Sequence, residues 1–174
     1  MADDKKEGWL SLLALTTVIL AVCATLSTFK GGGYSTRTVL RQNQASDQWA
    51  YYQAKGIKGN LYEVEVLRLK RELELAPRAS TAILEKALAD AEKKTAKYEA
   101  EKAEISQKAR GLEQERDDAM KHGAPFGLAV IYLQIAILLS SIAALLKKPF
   151  IYWAGLAVGV VGLVYFANGF FLFF

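Results

Sequence analysis

Residues 126–146 read FGLAVIYLQIAILLSSIAALL, and no charged side chain falls among those 21 positions. A helix needs roughly 20 apolar residues to cross the hydrocarbon core of a bilayer. Its only amide is Gln134, and the rest is aliphatic, aromatic, small or hydroxylic. A soluble helix would carry polar residues every third or fourth position, so this stretch fits a membrane span. Working outward, Lys147-Lys148 closes the block, and residues 149–174 are again free of charge. Upstream, residues 9–29 form a third uncharged run of 21. Three such blocks within 174 residues largely exclude the soluble enzyme classes.

The charges lie between the blocks. Hydrophobic residues are 52% of the chain and charged residues 23%, with 22 Lys and Arg against 18 Asp and Glu, a net +4. Residues 30–124 hold 18 of the basic and 15 of the acidic side chains, well mixed. A nucleic-acid surface needs a one-sign patch or stripe, so no nucleic-acid partner is expected. One cysteine, Cys23, cannot form an intrachain disulfide, and Cys23 with the lone His122 makes no zinc site. Residues 9–29 are too long for the apolar part of a cleaved signal peptide, and Val22 before Cys23 spoils a lipidation motif. The run is expected to be an uncleaved signal anchor.

Three spans put residues 1–8 and the Lys147-Lys148 loop on one side, with residues 30–124 on the other. Basic residues in short loops favour the cytoplasm, and long loops count little. Lys5, Lys6, Lys147 and Lys148 lie on the short side, which places the N-terminus in the cytoplasm and residues 30–124 outside it. Trp9, Tyr152 and Trp153 suit interfacial anchors on that same side.

Within residues 30–124 the pattern is helical. Gly31-Gly32-Gly33 predicts a hinge or break after the first span. A first helix is expected over about 34–75 and a second over 80–122. Between them lies a turn from Ala76 to Ser80 around Pro77, with Ser80 or Thr81 as cap. Gly123 and Pro125 should end the second helix. Leu84, Ala91, Tyr98, Ile105, Leu112 and Ala119 are each seven apart and predict a coiled-coil seam. Ala45, Trp49, Tyr52, Gly56, Gly59, Tyr62, Val66, Leu69 and Leu73 offer the facing surface. The expected fold is therefore an all-α membrane protein with three transmembrane helices, 9–29, 126–146 and 149–174. A long antiparallel coiled-coil hairpin is inserted between the first and second.

One seam buries little for so long a hairpin, so a homo-oligomer is expected, or a place in a larger membrane complex. Asp47, Trp49, Tyr51, Tyr52, Lys55, Gly56 and Gly59 are the candidate contact residues between chains. Asp47, Tyr51 and Lys55 are four apart and can form a charge-balanced row. Gly56 and Gly59 either admit a second backbone or kink the first helix. In the spans, Gln134, Gly155, Gly159 and Asn168 are candidates for helix packing, and Thr16, Thr17, Thr25, Ser140 and Ser141 for interhelical hydrogen bonds. No Asp, Glu, Lys, Arg or His lies inside a span, which disfavours a single-chain ion-coupled transporter. No catalytic, cofactor-binding or metal-binding residues are expected.

The stretch from Gln44 to Lys58, with Asn60-Leu61-Tyr62 behind it, resembles the hallmark of an uncharacterised bacterial membrane-protein family, domain of unknown function 4337. Tyr132 to Ile137 and Lys147 to Trp153 are similar to the same family. The resemblance implies an inner-membrane protein and carries no activity or site residues. The functional expectation is a non-enzymatic, self-associating structural or scaffolding protein in the lipid bilayer. The alternative is an oligomeric channel or transport accessory.

Overall fold

The computed structural model describes residues 2–75, 77 and 81–174, with side chains from residue 8 onward. The turn Ala76–Ser80, apart from an exposed Pro77, the Ser80 cap and the side chains of Lys5 and Lys6 lie outside the described residues. Three helices account for nearly all of the rest: α1 (Ala2–Leu75), α2 (Thr81–Leu146) and α3 (Pro149–Phe171). Each contains a stretch long and apolar enough to cross a membrane.

Two expected breaks are absent. Helix α1 runs through Gly31-Gly32-Gly33, and α2 runs through Gly123 and Pro125. The expected hairpin of separate helices inserted between two spans is therefore replaced by two long helices packed together. Packing overrides propensity at both places. A Cβ on Gly31 would lie 3.2 Å from the Phe126 Cβ, and one on Gly123 would lie 3.2 Å from the Tyr34 Cβ. These glycines let α1 and α2 approach closely, and tertiary contact rather than propensity holds the backbone helical there. Pro125 removes one hydrogen bond and is buried, next to the fully buried Phe126. Such prolines are tolerated where neighbouring helices support the freed backbone.

The chain forms two compact units. The first comprises Met1–Val39 with Arg116–Phe174, and the second Leu40–Glu115. In the first unit, Leu20 and Ala24 of α1 pack with Ala129, Leu133 and Ala136 of α2, and Val158, Leu163, Tyr165 and Phe166 of α3 close over them. A second cluster joins Leu13, Ala143 and Tyr152, with Trp9 beside them. Glycines set the distance of α3. A Cβ on Gly155 would lie 3.0 Å from the Leu139 Cβ, and one on Gly159 would lie 3.2 Å from a Leu20 methyl. Outside this core, Leu12, Leu15, Val18, Val22, Ile131, Leu138, Val160 and Val164 remain exposed. So much apolar surface needs a nonaqueous surrounding.

Helix α3 starts and stops by local chemistry. Lys147 takes the left-handed conformation (φ 50°), and Lys148 is extended (φ −111°, ψ 104°), as a residue before proline prefers. Pro149 then occupies the first turn, where its missing N–H costs nothing. At the other end Leu172 is left-handed, and its N–H donates to the Asn168 carbonyl at 2.8 Å.

In the second unit, α1 and α2 run antiparallel, since partners descend along α2 as α1 ascends. Arg41 meets Glu115 at 2.8 Å, Lys55 meets Glu101 at 2.6 Å, and Lys70 meets Glu92 at 2.9 Å. Ala45, Gly59 and Leu69 are buried on α1, and Ala91, Ile105 and Ala109 on α2.

Candidate assembly surfaces

Trp49, Tyr52, Gly56 and Gly59 lie on the α1 face that meets α2 of the same chain. The Trp49 indole N–H donates to the Glu113 Oε1 at 2.9 Å, and Trp49 and Tyr52 meet edge to face at 5.6 Å. A Cβ on Gly59 would lie 3.5 Å from the Tyr98 Cβ, and one on Gly56 would lie 3.8 Å from the Lys102 Cε. Both glycines thus serve close approach within the chain, and α1 is unbroken at both.

Lys55 is the electrostatic centre of this unit. Its ammonium pairs with Glu101 and lies 5.2 Å from the Tyr51 ring centroid and 5.5 Å from that of Tyr98. The hydrogen bond to Glu101, followed by one to Tyr51, raises the Lys55 pKa. The same bond to Lys55 holds the Glu101 carboxyl below its usual range. Lys55 therefore turns across to α2 instead of completing a row with Asp47. Asp47 is exposed, and Tyr51 is half exposed with Lys55 beside its ring.

Along α2, Ala91, Ile105 and Ala119 are buried, and Leu84, Tyr98 and Leu112 are half-buried. Tyr98 stacks on Tyr62 at 5.6 Å, and Lys94 covers the Tyr62 ring at 5.0 Å. On the side of α1 away from these contacts, Ile57, Leu61 and Val64 stand at spacings of four and three and are 63–66% exposed, with Leu67 beside them. Leu61, Val64 and Leu67 fall outside the facing surface expected from the sequence. The four-three spacing was the available signal.

In the first unit, Gly155 and Gly159 are buried against α2 and α1 of the same chain. Asn168 is buried, and its amide binds the backbone of Phe174, donating to the carbonyl at 3.1 Å and accepting from the N–H at 3.2 Å. Gln134 is exposed, with no hydrogen-bond partner among the described residues. Of the threonines expected to bond between helices, only Thr16 reaches another, with its hydroxyl 3.2 Å from that of Tyr152. Thr17, Thr25 and Ser141 instead donate to carbonyls four residues back. That acceptor is always within reach in a helix, whatever the neighbours do.

A stack of Tyr34, His122 and Phe126 was not foreseen, with ring centroids 5.2 and 6.0 Å apart. The His122 Nδ1–H donates to the Gly169 carbonyl at 2.9 Å, tying α2 to α3. Among the described residues no group of three His, Cys, Asp or Glu side chains could hold a metal ion.

The family model described as domain of unknown function DUF4337 matches residues 9–172. The chain belongs to that family. The match takes in both units, so the DUF4337 region includes the charged two-helix segment as well as the apolar ends. No curated protein and no solved structure matches the chain.

Proposed function

We propose that this DUF4337 protein is a non-enzymatic, self-associating scaffold of the bacterial inner membrane, acting alone or as an accessory subunit of a larger complex. Its N-terminus and the Lys147-Lys148 turn face the cytoplasm, and the charged segments of α1 and α2 within residues 40–115 lie on the outer side. The observation that carries the reading is the Ile57-Leu61-Val64 row. Three large aliphatic side chains stand open in a segment otherwise rich in charge, at the spacing that packs against a partner helix. Fully burying such a side chain is worth about 1.5–3 kcal/mol. A second copy supplies the same row, and with it a matching apolar surface. The internal use of Trp49, Tyr52, Gly56 and Gly59 moves the expected contact between chains to this opposite face.

The test is the mass of the purified particle in detergent or nanodiscs. Leu61→Asp places a carboxylate on the open row without touching the α1–α2 contact, so it should reduce the particle mass at unchanged helix content. A monomer at every concentration, or a variant particle of unaltered mass, overturns the proposal.

A further inference from the structure

The middle of the α2 span carries a polar group that its own chain leaves unanswered. Gln134 lies two positions from the midpoint of the uncharged block 126–146. Its side chain is exposed, and no described residue hydrogen-bonds to it. Water would satisfy that amide, but a hydrocarbon core holds none, and an unsatisfied amide there is costly. The two serines of the span differ. Ser141 bonds back to the Ile137 carbonyl, and Ser140 is buried.

Gln134 also lies on a defined row. Gly127, Ile131, Gln134, Leu138, Ser141 and Leu145 follow at spacings of four, three, four, three and four, and all six are exposed. Ile131 and Leu138, which flank the amide along the row, are 54% and 59% exposed. This is the period at which two membrane helices cross with a left-handed twist. Gly127 has nothing within 4 Å of its missing side chain, so a second backbone can come close there.

We infer that this row is the membrane-embedded contact with a second copy of the chain, closed by reciprocal hydrogen bonds between the two Gln134 amides. The occupant follows from the chemistry. An amide both donates and accepts, so it is its own complement, which a lipid tail is not. Copies inserted with one orientation also hold residue 134 at one depth, so the two amides meet without any shift along the axis. The inference rests on the assembly reading above and adds to it a contact independent of the Ile57 row.

The experiment uses the full chain in liposomes, in a Cys23→Ala background. Gln134→Cys should give a disulfide-linked dimer under mild oxidation. Val18→Cys and Val160→Cys, also at exposed positions, on α1 and α3, should not. In a dilution series read by energy transfer between labelled copies, Gln134→Leu should weaken association about 3- to 30-fold, as expected for interhelical hydrogen bonds of about 0.6–2 kcal/mol. Equal cross-linking at the three positions, or unchanged association of Gln134→Leu, overturns the contact. If Gln134→Cys stays unlinked while Ile57→Cys still forms dimers, this contact fails and the assembly reading survives. A monomer at every dilution removes both.

Discussion

Replacing Gly162 with alanine adds one methyl group to α3 and should destabilise the first unit. The new Cβ would sit 2.8 Å from the Leu133 Cγ, 3.0 Å from its Cδ2 and 3.0 Å from its backbone nitrogen. A leucine side chain can rotate away, but the nitrogen belongs to α2 and moves only if the two helices separate. Overpacking of this kind costs about 1–3 kcal/mol. Alanine in place of glycine in a helix returns about 0.5–1 kcal/mol. The net expectation is a loss of up to about 2.5 kcal/mol, centred on about 1 kcal/mol. Gly32→Ala is the matched control, because nothing lies within 4 Å of its added methyl, and it should stabilise by the propensity term alone. The protein carries its own reporter. Cys23, its only cysteine, is half-buried against the Leu20–Ala129–Leu133 cluster, so a thiol-reactive dye signals opening of this core on heating. At about 4–8 °C per kcal/mol for a unit of this size, Gly162→Ala should lower the midpoint by several degrees and Gly32→Ala should raise it by a few. If both raise it alike, α3 does not pack on Leu133 at this distance and the account of the glycine face is wrong.

Other consequences concern the second unit and the topology. Trp49→Phe removes the indole donor from Glu113 and should cost about 1.5–3 kcal/mol, seen as faster trypsin cleavage within residues 40–115. Gly59→Ala meets Tyr98 at ordinary contact distance and should slow that cleavage, whereas Gly59→Leu should accelerate it through overpacking. The Lys55–Glu101 pair gives two pH limits. Glu101 is depressed, so its contribution is present above the ordinary carboxylate value of 4.5 and fades as pH falls through the lower folded value. Lys55 is raised, so its contribution is present below the ordinary 10.5 and fades as pH climbs through the higher folded value. Protease resistance should therefore drop at both extremes, and Glu101→Gln should flatten both limbs. A thiol introduced at Lys86, in a Cys23→Ala background, should react with an impermeant reagent in intact spheroplasts; reaction only after the membrane is opened reverses the topology.

The apolar blocks could be read from sequence because some twenty residues without charge leave a helix no hydrophilic face to turn to water. The inward face of α1 from Ala45 to Leu73 was legible for a similar reason, as spacing alone fixes which residues share a face. Gly31-Gly32-Gly33 and Pro125 misled because propensity is local while their setting is not. Nothing near Gly31 in sequence announces that the Phe126 Cβ will lie against it. The role of Gly56 and Gly59 was ambiguous for another reason. A glycine face admits a close neighbour without saying whether that neighbour belongs to the same chain. Gln134 was recognisable as a packing residue, but its open face emerges only once Leu133 and Ala136 on either side are seen turned into the core.

The two-residue turn between α2 and α3 has one more implication. Were Lys147 and Lys148 to become helical, the two helices would join into a single rod, and α3 would be released to dock on the α2 of a neighbouring molecule. Copies would then be interlocked by exchange of a whole helix instead of resting side by side. Pro149 obstructs that route, since its ring disfavours a helical Lys148 and it has no N–H to carry the ladder onward. Lys147, held at φ 50° without being a glycine, shows that the turn is kept at some conformational cost. One proline thus works against helix exchange and keeps each α3 packed on the α2 of its own chain.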